Sequence, residues 1–258
     1  MALLKPTRPG RTTTRARSDI RLKFHWTIHS LRGHVAGTFI TFEGIDGSGK
    51  STQLRLLASF LRLHGHDVVA TREPGGTPVG IRLRAALLDE QEQVDPLTEL
   101  LVFAADRAQH VRRLLRPALQ SGVIVLSDRY ADATIAYQGA GRGFAPQLIS
   151  EIVELATEGL KPDRTLLFDL SVAEAIERLG RRAECRRKSD RRDRLDLENE
   201  EFHTRVRDAY LRMASEEPER FRIIDTSASV EETHNRVKEE IVPWLEARTT
   251  KLDSVIVK

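Results

Sequence analysis

TFITFEGIDGSGKST (Thr38–Thr52) is an apolar run followed at once by a glycine-rich turn with the spacing G-x-x-x-x-G-K-[ST]. The run reads as a strand buried on both faces. After it the chain must turn tightly, expose several backbone N–H groups and open a helix. Gly44, Gly47 and Gly49 permit positive φ and close backbone approach. The N–H groups then form a nest for phosphate, helped by the dipole of the helix that starts near Lys50. Gly44, Ile45, Asp46, Gly47, Ser48, Gly49, Lys50, Ser51 and Thr52 are therefore the candidate ATP-phosphate residues, with Lys50 reaching the β/γ-phosphates and the Ser51 hydroxyl ligating Mg²⁺. Leu54, Leu57 and Leu61 make the following helix amphipathic, as the motif requires. One residue stands out: the carboxylate of Asp46 would be repelled by bound phosphate unless it faces another group, such as a sugar hydroxyl or a metal-bound water. The loop alone does not separate an ATPase from a kinase.

Outward from this loop, strand-like and helix-like segments alternate. Strands are expected at 38–42, 67–71, 123–127, 164–170 and 221–225. Helices are expected at 50–64, 78–89, 95–120, 145–159, 171–182, 198–216 and 229–247. Such alternation predicts an α/β fold, a parallel sheet with helices on both faces, whose ligands bind beyond the carboxyl ends of the strands.

Polar motifs fall at that edge. The third run enters DRYADATIAYQGAGRG (128–143), placing Asp128 where an acid can hold Mg²⁺ and Arg129 where its five-donor fork can meet phosphate oxygens. The second run ends in TREPGGT (71–77), where Arg72 supplies charge and Pro74-Gly75-Gly76 fix a turn. On the long helix, Leu97, Leu101, Ala104, Ala108, Val111 and Leu115 read as the core stripe, with Phe103 and Arg107 four apart on an adjoining one. That pair suits a stacked base with its edge hydrogen-bonded, and equally a core flank beside a surface charge. RRAECRRKSDRRDR (181–194) holds eight basic residues and three acids with almost nothing to bury, so it reads as a mobile loop or frayed helix, a lid over phosphates.

Charge separates an arm from a body. Residues 1–37 carry eight Lys/Arg against Asp19 alone, a net of +7, which leaves 33 basic and 37 acidic residues, a net of −4, in the rest. The arm has a transit-peptide composition without the apolar core of a secretory signal, and reads as a disordered extension or a start assigned too far upstream. A single cysteine, Cys185, excludes an internal disulfide framework and fits a reducing cytoplasm. No stretch is apolar enough for a membrane span. Basic segments without interleaved aromatics speak against a nucleic-acid-binding ATPase.

From about Phe39 to about Trp244 the sequence resembles the thymidylate kinases of the bacterial type. The resemblance rests on FEGIDGSGKSTQ (42–53), TREPGGT, TELLVFAADRAQH (98–110), DRYADATIAYQGAGRG, PDRTLLFDL (162–170) and IDTSASVEE (224–232). It implies a P-loop NTPase fold with a five-stranded parallel sheet and an Arg-rich lid. It implies a homodimer, ATP–Mg²⁺ as donor and dTMP as acceptor. The basic segments without interleaved aromatics and the lack of an apolar span leave no nucleic-acid or membrane partner expected. Carried over by position, Phe103 would stack on thymine, Arg107 would bond its edge, and Thr134 and Gln138 would line the base site. Arg129 would bridge the two phosphates, with Arg72 near the acceptor's. Tyr137 would crowd the 2′ position of the sugar, Asp46 would face the sugar hydroxyl or a metal water, and the DTSAS segment would flank adenine. Ser51 and Asp128 would hold the metal. Two departures matter. Ala133 stands where such kinases often carry serine, and the lid is longer and denser than theirs. Arg178, Arg181, Arg182, Arg186 and Arg187 therefore compete for the transition-state role, with Arg181 and Arg182 the primary candidates beside Lys50 and Arg129. The expected organisation is an arm (1–37), a kinase domain (38–247, lid about 180–196) and a tail (248–258), in a cytoplasmic protein.

Overall fold

The computed structural model describes residues 37–88, 93–185 and 194–256, with the side chains of 182–185 and 249–256 excepted. Expectations about the arm before Gly37, Arg186, Arg187 and the side chain of Arg182 lie outside the described residues. Five strands, β1 (Thr38–Glu43), β2 (Val68–Arg72), β3 (Ile124–Asp128), β4 (Arg164–Asp169) and β5 (Phe221–Asp225), pair in parallel in the order β2-β3-β1-β4-β5. The five expected strands are all present.

β1 is the centre of the sheet, and its two-residue period distributes the core. Ile40 and Phe42 point to the layer formed by α1 (Lys50–Leu63) and α9 (Val230–Ile256), meeting Leu54, Leu57, Leu61, Val237 and Ile241. Phe39 points the other way, onto Tyr130 with ring centroids 4.9 Å apart. Each such fully buried apolar side chain is worth ~1.5–3 kcal/mol over its exposed state. Because β1 exchanges partners between β3 on one side and β4 on the other, the crevice beyond its carboxyl end is the topological switch point. Register places Phe42 beside Asp128, and Asp128 beside Arg72, at that edge. No helix among the described residues is long and apolar enough to cross a membrane.

The remaining helices are α2 (Pro78–Leu88), α3 (Pro96–His110), α4 (Arg116–Gln120), α5 (Ala131–Thr134), α6 (Pro146–Thr157), α7 (Val172–Cys185) and α8 (Glu200–Glu216). Three expectations need correction. First, the long helix 95–120 is α3 and α4 joined by a π-helical turn, Val111–Leu115. Its expected core stripe holds at one end and fails at the other: Val111 and Leu115 are in the core, but Leu97 and Leu101 are 47% and 51% exposed, whereas Glu99, Leu100, Asp106, Arg107 and His110 are buried. α3 walls a polar site, so hydrogen-bonded polar groups share its inner face with Leu100, while Leu97 and Leu101 lie on its outer one. Second, no helix is expected between 120 and 145, yet α5 runs from Ala131 into a π-helical segment, Ile135–Gly141. Third, α7 stays helical to Cys185, into the expected lid, and α9 extends to Ile256, through most of the expected tail.

Candidate active site

The glycine-rich turn leaves β1 with no room for side chains. A Cβ on Gly44 (φ +131°) would lie 2.4 Å from the Phe168 carbonyl oxygen, and one on Gly47 (φ +85°) 2.6 Å from that of Ala175. The turn therefore packs against the β4–α7 connection, and the first turn of α1 opens into a cavity of about 520 Å³. Lys50 lines it, its amine donating to the Ile45 carbonyl at 2.8 Å and standing 3.8 Å from Asp46. Burial and the neighbouring Arg129 charge pull the Lys50 pKa below its ordinary value, against the acids nearby. Ser51 donates to Asp128 at 2.5 Å, tying the start of α1 to the end of β3. Gly44 and Ile45 contribute backbone only, and the Ile45 side chain belongs to the core.

Arg129 follows Asp128 in a left-handed conformation (φ 70°), a costly choice for a residue with a Cβ. This conformation lets its N–H reach the Phe42 carbonyl at 3.0 Å while its guanidinium crosses the crevice. The fork meets Asp46 at 2.6 Å, the Tyr137 hydroxyl at 2.8 Å, the Gly44 carbonyl at 3.1 Å and the Tyr210 hydroxyl at 3.3 Å. Tyr137 in turn donates to the second Asp46 oxygen at 2.8 Å. Burial would raise the Asp46 pKa, but Arg129 and Lys50 outweigh it and hold the carboxyl well below the usual range. The acid in the phosphate loop is thus explained by its partner, Arg129. Behind this ring lies Glu43, fully buried, accepting from the Tyr130 amide and the Tyr210 hydroxyl, both at 2.7 Å. Burial, then the Asp132 charge, pushes Glu43 up to about 8.

The far wall is built from TREPGGT and α3. Arg107, 1% exposed, donates to Glu73 at 2.8 Å, to Thr134 at 2.7 Å and to the Tyr130 carbonyl at 2.9 Å. Glu73 also accepts from His110, whose other ring nitrogen pairs with Thr71, each at 2.8 Å. Asp106 accepts from the Gly75 amide at 3.2 Å, and burial followed by the Glu73 charge raises it to about 6. Phe103, Arg107, Thr134, Tyr137 and Gln138 share this end of the cavity with Ala133 and Arg72. At the other end, Thr226, Ala228, Ser229 and Val230 adjoin the phosphate loop.

Sequence reasoning missed several of the partners that hold these groups. Glu73 stood inside a quoted motif yet was passed over for Arg72, and Glu99 and Tyr210 carried no local signal. Among the arginines expected to compete for the transition-state role, Arg178 lines the cavity and donates to the Thr226 carbonyl at 2.7 Å. Arg181 is exposed and pairs with Glu177 at 3.4 Å, so its side chain does not line the cavity.

Residues 42–237 match the sequence model of the family described as Thymidylate kinase. The thymidylate kinase of Geotalea uraniireducens is 48% identical over 210 residues, 81% of this chain and 98% of that protein. That of Desulfovibrio desulfuricans is 47% identical over 216 residues, 83% of this chain and all of that protein. The crystal structure of thymidylate kinase from Ehrlichia chaffeensis superposes with a TM-score of 0.64 at 34% identity, covering 80% of this chain and 99% of that one. A resemblance that spans the sheet, the phosphate loop and the far wall together leaves one conclusion: the chain belongs to the thymidylate kinase family.

Proposed function

We propose that this kinase transfers the γ-phosphoryl group of ATP to the 5′-phosphate of dTMP, giving dTDP and ADP for dTTP synthesis. One observation carries the reading: a single cavity has a phosphate loop at one end, a Phe103/Arg107 slot at the other, and Arg129 between them. The donor phosphates would lie on the loop, with adenine toward Thr226–Val230. The acceptor base would stack on Phe103, its phosphate toward Arg72 and Arg129. The loop and the slot line one cavity, so the two substrates would meet without a covalent intermediate, and charge stabilisation would do the chemistry. The acceptor is already a phosphate anion, so no strong base is needed. Arg129 would leave Asp46 in part to bridge the phosphates, and Lys50 would follow the transferring group. Ser51 and Asp128 present two hard oxygens 2.5 Å apart beside the loop, a donor pair that fits Mg²⁺. When bound, the ion would neutralise charge between the outer phosphates. Arg178, which lines the cavity, is the best-supported of the arginines expected to close over the phosphates; Arg182 remains a candidate by its position in the sequence.

ADP release across a panel of nucleoside monophosphates tests this. dTMP should give the highest kcat/KM, and ADP release that is equal without any acceptor would make the protein an ATPase. The same panel tests Tyr137, whose ring lies beside Asp46 where the sugar would sit. Tyr137→Phe should change the dTMP-to-UMP preference, and an unchanged ratio would remove Tyr137 from sugar selection.

Homodimerisation is the further expectation. Its support is apolar surface on two helices that pack together: Leu97 and Leu101 of α3, Leu148 and Leu155 of α6, all exposed. Sedimentation equilibrium at micromolar concentration should report twice the chain mass; a monomer mass would end the idea. Composition and the lone cysteine support a cytoplasmic enzyme, which fractionation of the native cells can check.

A further inference from the structure

Gln138 lies on the cavity wall, and its amide nitrogen donates to Glu99 Oε1 at 2.8 Å. Glu99 is fully buried and also accepts from Arg142 at 2.9 Å and from Arg194 at 2.5 Å. Burial alone would raise its pKa, but the bonds from Arg142, Gln138 and Arg194 lower it, so the carboxyl is ionised at neutral pH. An ionised carboxylate only accepts hydrogen bonds. Gln138 must therefore turn its NH₂ toward Glu99, and the amide oxygen is what it offers on its other side. Arg107 brings the opposite polarity. Three of its five N–H donors are committed to Glu73, Thr134 and the Tyr130 carbonyl, and the others can serve a ligand.

An acceptor and a donor on one wall match a ring N–H next to a ring C=O. A 4-oxo pyrimidine has that edge; a 4-amino pyrimidine has the reverse. We infer that Glu99 is a positioning residue that sets this polarity through Gln138, so that the site selects 4-oxo over 4-amino pyrimidine monophosphates. The inference rests on the dTMP-acceptor reading above. It adds a residue that would touch neither substrate, on the helix face that the apolar periodicity did not mark.

The test compares dTMP with 5-methyl-dCMP, which differ only at the 4 position and in the ring proton that goes with it. A site built to hydrogen-bond one edge rejects the other by roughly 10⁴-fold, so the native enzyme should show a large ratio of kcat/KM. Glu99→Gln keeps the shape but can turn either face of its amide to Gln138. The ratio should shrink by ~10-fold or more, mainly through KM for dTMP, a loss of about 1.4 kcal/mol per decade. In a Gln138→Ala background the same substitution should leave the ratio unmoved. If Glu99→Gln lowers activity on both substrates and keeps the ratio, Glu99 is only structural and the inference is overturned. A native enzyme with no preference between the two would instead overturn the acceptor reading, and this one with it.

Glu99 is buried against two arginines, so the variant can fail to fold. A measurement on the native enzyme covers that case. Fluorine at position 5 makes the ring N–H more acidic, so 5-fluoro-dUMP loses the proton at a lower pH than dTMP. Its KM should rise by ~10-fold through the alkaline range while that of dTMP holds. Parallel, flat KM values would show that the site does not read the ring N–H, and would overturn the inference.

Discussion

Replacing Lys50 with alanine is expected to lower kcat by roughly 10³-fold, the scale on which one fixed donor to developing charge acts in a dry site. KM for dTMP should move by only a few-fold, because the Phe103/Arg107 slot lies at the opposite end of the cavity. The cause is position and burial. Lys50 is 5% exposed, and its amine is held by the Ile45 carbonyl and Asp46 at the mouth of α1. A buried cation beside a helix N-terminus is costly to keep unless an anion completes its surroundings. That anion would be the transferring phosphoryl group, whose charge grows on its peripheral oxygens during transfer. Removing the amine should change stability little, since its loss also removes a desolvated charge next to Arg129. A variant that folds and turns over at near-native rate would sink the assignment of the loop as the donor site.

The loop could be read from sequence because its chemistry is local. Nine consecutive residues supply the turn, the N–H groups, the amine and the hydroxyl, and nothing distant is needed to place them. Strands buried on both faces were legible for a similar reason, as short apolar runs with polar ends. α3 was not. Its outward leucines make the stronger apolar pattern, and its inward Glu99, Asp106 and His110 look like surface charge until their partners are known. Those partners are far along the chain: Gln138 is 39 residues from Glu99, Arg194 is 95 residues away, and Glu73 is 37 from His110. Periodicity measures one helix, whereas satisfaction of a buried carboxylate such as Glu99 depends on three segments at once. The helix after Asp128 was hidden for another reason. Gly139 and Gly141 weaken a helical reading, yet a Cβ on Gly141 would lie 2.6 Å from the Phe202 ring, so packing on α8 requires glycine there.

Arg129 should be the more sensitive of the two cations. Arg129→Ala is expected to cost about 10³- to 10⁵-fold in kcat, the range found when an arginine that meets a transferring phosphoryl group is removed. The substitution would also harm the fold. It leaves Asp46 without its nearest cation and with Lys50 at 3.8 Å, and because the pair is half-buried the cost falls between the ~0–1 kcal/mol of an exposed pair and the ~3–5 kcal/mol of a fully buried one. Loss of activity alone would therefore not prove a role in transfer. The double variant Arg129→Ala with Asp46→Asn separates the two effects, because it removes the stranded charge along with its partner. Thermal stability should recover most of the loss, while turnover stays near that of the single variant. Arg129→Lys gives the complementary result. An ammonium can neutralise Asp46, but it cannot meet Asp46, Tyr137 and the Gly44 carbonyl as a planar fork, so stability should hold better than activity. If the double variant regained native turnover, Arg129 would be no more than a counter-ion for Asp46. The bridge between the two phosphates would then have to come from another cation, and Arg178 is one that already lines the cavity.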